Sequence, residues 1–173
     1  MDDRYRITLA RLHDLSALAE IEIAAAALLR DHAPASVLNE VTEQVDLLEA
    51  QSAGRLWVAL ADDAPIGFAL VEMLAADAPH LEEMSVHPAH GRHGVGTALL
   101  REVCAWTVRS GYPALSLTTF RNVPWSMPFY ARAGFEEIPP SDLSAGLIAI
   151  VQDEAERGLD PKRRVVMRYR APS

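Results

Sequence analysis

Hydrophobic and polar positions alternate from Tyr5 to Ala10, the period of a half-buried strand. From about Leu15 to Leu29 the period lengthens. Leu15, Leu18, Ala19 and Glu22 stand at helical spacing, and Asp14 is placed to cap. Asp31-His32-Ala33-Pro34 breaks that helix. Ser36 is positioned to cap a second one reaching about Ser52, stopped by Gly54. Leu56–Leu60, the turn Asp62-Asp63-Ala64-Pro65 and the run Ile66–Leu74 read as a hairpin. His80–Val86 is another strand, followed by a helix to about Ser110 before Gly111. Leu115–Thr119 is a strand, and Trp125–Ala133 a short helix closed by Gly134. Phe135–Ile138 and Val165–Tyr169 are two last strands. Between them, Ser141–Lys162 carries one helical pattern. The order β-α-α-β-β-β-α-β-α-β-β, with one inserted helix, predicts an α/β fold: a mixed sheet with helices on both faces. No repeat or linker divides the chain, so residues 1–173 read as one domain.

Composition narrows the function. At 173 residues and 50% hydrophobic, the chain can bury one substantial core. Its net charge of −8 disfavours nucleic acid as a partner and leans slightly towards a cationic small molecule. Cys104 is the only cysteine and sits in a helical run, so it reads as a packed thiol. The polar N-terminus does not resemble a signal peptide. The longest apolar stretch, Ile21–Leu29, holds Glu22 and is too short for a bilayer. A cytoplasmic protein with no membrane partner is expected.

The most specific segment is Val86-His87-Pro88-Ala89-His90-Gly91-Arg92-His93-Gly94-Val95-Gly96-Thr97. A strand ends at a Pro, three glycines follow within six residues, and a helix begins at once. Free N–H groups and the positive dipole end at a helix start bind phosphate. A nucleotide P-loop would need Lys after Gly96, where Thr97 stands. A dinucleotide fingerprint would need a third glycine, where Leu99 stands. Three histidines, His87, His90 and His93, share the loop. Without Cys or acidic partners their spacing does not make a zinc site, so no metal is expected.

Gly91-Arg92-His93-Gly94-Val95-Gly96, with Val86-His87-Pro88 upstream, resembles the Gln/Arg-x-x-Gly-x-Gly/Ala signature of the GNAT superfamily of acyl-CoA-dependent N-acyltransferases. About 30 residues on, Phe129-Tyr130-Ala131-Arg132-Ala133-Gly134-Phe135 is similar to the family's Phe-Tyr-x-x-x-Gly-Phe segment. The resemblance extends from about Tyr5 to Arg170. It departs from the family at Gly91, where Gln or Arg is usual, with Arg92 beside it.

The resemblance implies acetyl-CoA as co-substrate, a primary amine as acceptor, and direct transfer in a ternary complex. The acceptor would be a small molecule or a peptide amine, and homodimers are common in the family. The CoA pyrophosphate would lie on Gly91, Arg92, His93, Gly94, Val95, Gly96 and Thr97. Pantetheine would run along the strand end at Met84, Ser85 and Val86, where two parallel strands splay apart. A backbone N–H near Met84 or Ser85 would meet the thioester carbonyl. Asn122 or Ser126 would contact CoA. Tyr130 matches the family's general acid. The base is expected on the strand His80–Val86: Glu82, assisted by His80. Period two places His80, Glu82, Met84 and Val86 on one face and Leu81, Glu83 and Ser85 on the other. A bulge would reverse that facing and promote Glu83. His32, Phe120 and Trp125 are candidates to line the acceptor pocket. The alternative is a CoA-binding or regulatory domain of the same type that has lost catalysis.

Overall fold

The alternating N-terminal segment forms β1 (Tyr5–Leu9), an edge strand of a seven-stranded sheet. The structure, a computed structural model, describes residues 4–172. After β1 come α1 (Leu18–Ala26), α2 (Ala35–Leu38) and α3 (Gln44–Ser52). Then follow β2 (Leu56–Ala61), β3 (Ala64–Ala75), β4 (Ala78–Val86), α4 (Val95–Arg109) and β5 (Ala114–Phe120). The chain finishes with α5 (Ser126–Arg132), β6 (Phe135–Glu137), α6 (Ala145–Glu156) and β7 (Arg164–Arg170). The sheet order is β1-β2-β3-β4-β5-β7-β6, and every neighbouring pair is antiparallel except β4 with β5. This is the mixed sheet that the pattern predicts. No helix among the described residues is long and apolar enough to cross a membrane.

Both faces of the sheet are covered. On one, Val95, Leu99, Leu100 and Val103 of α4 pack onto Trp57, Ala69, Val71 and Leu81. On the other, Leu18 and Ile21 of α1 and Leu47 of α3 pack onto Val58, Phe68 and Leu70. Each of these large side chains, taken out of water, stabilises the fold by about 1.5–3 kcal/mol. Cys104 is buried on α4, and burial pushes its thiol up to about 12. It is a packing group, as expected.

Three details differ from the sequence reading. Asp14 does not cap a helix over 15–29. It is buried, accepts hydrogen bonds from the Arg11 backbone N–H (2.7 Å) and guanidinium (3.0 and 3.1 Å), and lies inside a 3-10 turn, Leu12–Ala17. The ion pair holds that turn ahead of α1. The expected single helix from Ser36 to Ser52 is broken into α2 and α3. Glu22 is the cause: its carboxylate accepts from Thr42 N–H (3.0 Å) and Thr42 Oγ1 (3.2 Å), drawing the connection towards α1.

The third difference decides the site. The register of β3 on β4 slips between Leu70 and Val71: Leu70 pairs with Glu83, but Val71 pairs with Leu81. Glu82 is the extra residue of a β-bulge. Simple alternation therefore fails. Glu83 and Ser85 lie opposite Leu70 and Phe68 on the α1/α3 face, whereas Met84 and Val86 pack towards the α4 core. His80 and Glu82 do not share a face with Met84 and Val86.

Candidate active site

The parallel strands β4 and β5 pair at His80–Ser116 and Leu81–Leu117, then separate. A cleft of about 890 Å³ opens at the separation. Its floor is Leu81–Val86 and Leu117–Phe120. Its walls come from α1, α3, the connection between them, α5 and α6. The His87 N–H donates to the Ile66 carbonyl on β3. Antiparallel alternation then turns the N–H groups of Met84 and Val86 away from β3, into the gap. Met84, Ser85 and Val86 all line the cleft.

The glycine loop stands at the end of this gap. Gly94 caps α4 with φ of 80°, a conformation that favours glycine. A Cβ on Gly96 would lie 3.8 Å from Val86 Cγ2 and 3.7 Å from Phe129 Cζ, so the first turn of α4 packs against the end of β4. The unpaired N–H groups of that turn open beside the cleft. Gly91 also has a physical reason. A Cβ there would lie 3.2 Å from the Pro88 carbonyl oxygen, a tight contact that a larger residue meets only if the turn gives by a few tenths of an ångström. Arg92 takes up the left-handed conformation instead, with φ of 65°. The loop histidines serve local contacts. His87 Nδ1 accepts from the Ala89 N–H, while His90 and His93 pack against Tyr5.

Glu83 and Tyr130 both face the cleft. Burial, and then repulsion from Glu22, pushes the Glu83 carboxyl up to about 7. Ser85 Oγ donates to it at 2.6 Å. Burial, and then the charge of Glu83, raises the Tyr130 phenol well above its ordinary 10. Its ring is held edge-on by Phe129 (5.1 Å) and Phe135 (5.8 Å). Of the two candidates for contacting CoA, Ser126 lines the cleft and hydrogen-bonds with Thr119, whereas Asn122 is exposed outside it. Phe120 and Trp125 line the cleft. His32 packs edge-on against Trp125 and lines a separate pocket of about 190 Å³.

His80 lies behind this surface, 1% exposed. Burial lowers its pKa to about 4, so it stays neutral. Four further residues escaped the sequence reading. Glu72, on β3, lines the cleft beside Glu82, and both carboxyls are raised, first by burial. Glu22 is raised by burial as well. The available signal was a lone carboxylate inside each of two apolar runs, Ile21–Leu29 and Ile66–Leu74. Arg164 and Glu154 form a buried pair at the same wall, which no local pattern announces.

A sequence model described as the acetyltransferase (GNAT) family matches residues 25–135. Among solved structures, the chain is similar to the PaiA N-acetyltransferase of Thermoplasma acidophilum in complex with coenzyme A. The identity is 18%, over 96% of this chain and 98% of that one, with a TM-score of 0.74. It is similar to the ribosomal-protein-S18-alanine N-acetyltransferase of Escherichia coli at 18% identity, 98% and 96% coverage, and TM-score 0.66. The N-acetylglutamate synthase of Neisseria gonorrhoeae, complexed with coenzyme A and N-acetyl-glutamate, aligns with all of this chain and 36% of its own. There the identity is 16% and the TM-score 0.71. At these identities the likeness is one of fold.

Proposed function

This chain belongs to the acetyltransferase (GNAT) family, and from that premise we propose that it transfers acetyl from acetyl-CoA to a primary amine, directly and within a ternary complex. The observation that carries the reading is the placement of Glu83 and Tyr130 in one cleft at the splay of β4 and β5. The backbone N–H groups of Gly91, Arg92, His93, Gly94, Val95, Gly96 and Thr97 would receive the pyrophosphate. The edge of β4 at Met84–Val86 would pair with pantetheine, and Ser126 would contact it from α5.

Glu83 is the base. An alkylammonium is not a nucleophile, and a carboxylate with a pKa near 7 can take its proton at neutral pH. Glu82 lines the cleft too, but its carboxyl is hydrogen-bonded to Glu72 and pushed up to about 8, first by burial, so the role falls to Glu83. The amine nitrogen then bonds to the thioester carbon, whose oxygen takes over the Met84 N–H that the ionised Glu83 carboxylate had held. The nitrogen sheds its second proton as the C–S bond breaks; Tyr130 O–H donates to the leaving sulfur, and that second proton restores the phenol. Glu83 returns its proton to solvent, and the products are the amide and free CoA thiol. Buried Cys104, with its raised pKa, takes no part.

Mixed with acetyl-CoA and primary amines, the protein should release thiol only when an amine is present. CoA binding without amine-dependent thiol release across a broad panel contradicts the proposal and leaves a domain that has lost catalysis. Tyr130→Phe should reduce kcat by roughly 10²-fold with little change in acetyl-CoA affinity. Equal loss of both in steady-state kinetics and calorimetry would sink the general-acid role.

A further inference from the structure

We propose that the acceptor is an α,ω-diamine, or a longer amine containing that unit, whose second ammonium sits in a nest formed by Glu72, His80 and Glu82. This deepens the transferase reading and rests on it for the first amine. The nest has a definite geometry. Glu72 pairs with His80 across β3 and β4, and the bulge swings Glu82 onto the same side. One nitrogen or oxygen from each of the three lies within 4.8 Å of the others.

Hydrogen bonding makes His80 an acceptor, while the Glu72 and Glu82 carboxyls hydrogen-bond to each other through a shared proton. With Ser116 Oγ donating to the Pro79 carbonyl (3.3 Å), its lone pair receives the His80 Nδ1–H (2.9 Å). In that tautomer His80 Nε2 carries a bare lone pair, 4.0 Å from Glu82 Oε2. The imidazole is 1% exposed, and this nitrogen has no hydrogen-bond partner among the described residues. Glu72 Oε1 is buried and also lacks a partner. A primary ammonium carries three N–H donors and one positive charge. It would displace the proton that Glu72 and Glu82 share, satisfy the three groups together and neutralise the carboxylates.

The rest of the cleft agrees in sign. Arg55, Arg157 and Arg164 line it, but each is already engaged by a carboxylate: Glu49, Glu40 with Asp153, and Glu154. Glu22, Glu43, Asp46, Glu72, Glu82 and Glu83 remain, with no Lys or Arg at ion-pair distance among the described residues. A monoamine would place one charge at Glu83 and leave the nest uncompensated. Glu83 is opposite Leu70, and Glu72 is two residues further along β3. That step is about 7 Å, roughly the span of an extended chain of four or five carbons.

The test is calorimetric titration of the protein with saturating CoA, using 1,4-diaminobutane, 1,5-diaminopentane, 1-aminobutane and zinc chloride. One of the two diamines should bind about tenfold or more tightly than 1-aminobutane, the worth of one hydrogen bond between charged groups. Glu72→Gln should remove that advantage, bringing the diamines down to the affinity of 1-aminobutane for the same variant. Equal binding of mono- and diamines, or no diamine binding, overturns the inference without needing any variant. So does zinc held by the nest that neither diamine displaces. Thiol release separates the two readings. Equal turnover of mono- and diamines sinks this inference alone. Diamine binding with no acetyl transfer to any amine sinks the transferase reading alone.

Discussion

Glu83→Gln is expected to lower kcat/KM by about 10²–10⁴-fold, with CoA affinity unchanged. The substitution keeps the shape of the side chain and an oxygen for the Ser85 Oγ–H, now 2.6 Å from Glu83 Oε1. It removes the one property that the mechanism needs, a lone pair basic enough to take the ammonium proton. The wild-type pH profile should show the same group. A base must be ionised to act, so kcat/KM should rise through about pH 7 and level off above it. The variant should lose that step. Glu82→Gln should keep it.

The same variant should be more stable than the wild type at high pH. Burial raises the Glu83 pKa from the ordinary 4.5 to about 7, so the folded chain holds its proton more tightly than the unfolded chain does. Its contribution to stability is fully present below pH 4.5 and is lost as pH rises through about 7. Glutamine has no proton to lose. The melting temperature of Glu83→Gln should therefore exceed that of the wild type more at pH 8 than at pH 5. An unchanged difference between the two, or an unchanged kcat/KM, shows that Glu83 is not the buried base.

Arg164→Met should cost about 3–5 kcal/mol of stability. Arg164 Nε donates to Glu154 Oε2 at 2.9 Å and its terminal nitrogen to Glu154 Oε1 at 2.6 Å. The side chains are only 11% and 6% exposed. Thr118 Oγ1 bonds to both partners, and the guanidinium lies over the Phe120 ring at 4.4 Å. This network ties α6 to β5 and β7. Removing the arginine strands a carboxylate out of water, which is where the cost arises. Replacing both partners, Arg164→Met with Glu154→Leu, should recover most of the loss, because an apolar pair has no charge to desolvate. Urea denaturation measures both. A single-variant loss below about 1 kcal/mol would place this pair with ordinary surface ion pairs.

Much of the fold is written in local periods. Alternation at Tyr5–Ala10 and the helical spacing after Gly96 need only their own neighbours to be read, and β1 and α4 form where they predict. The glycine loop and the Phe129–Phe135 segment are contiguous, so their resemblance to one family was legible too. Local patterns failed where a distant partner competed. Val37–Ser52 has no strong breaker, yet Glu22, 20 residues before Thr42, holds the chain out of helix.

The candidate site shows the same division. By itself the sequence determined which residues are candidates for the chemistry: two adjacent carboxylates, a histidine on the same strand, and a tyrosine in a recognisable segment. The tertiary structure decided which of them meet. Leu70 and Val71 must fill the cores on opposite faces of the sheet, and Leu81 must follow Val71. That leaves Glu82 as the extra residue, and the bulge turns Glu83 into the cleft and Glu82 towards Glu72 and His80. Strand period is a property of one chain segment, but register is set by the packing of two. The choice between two neighbouring glutamates therefore rests on residues of another strand.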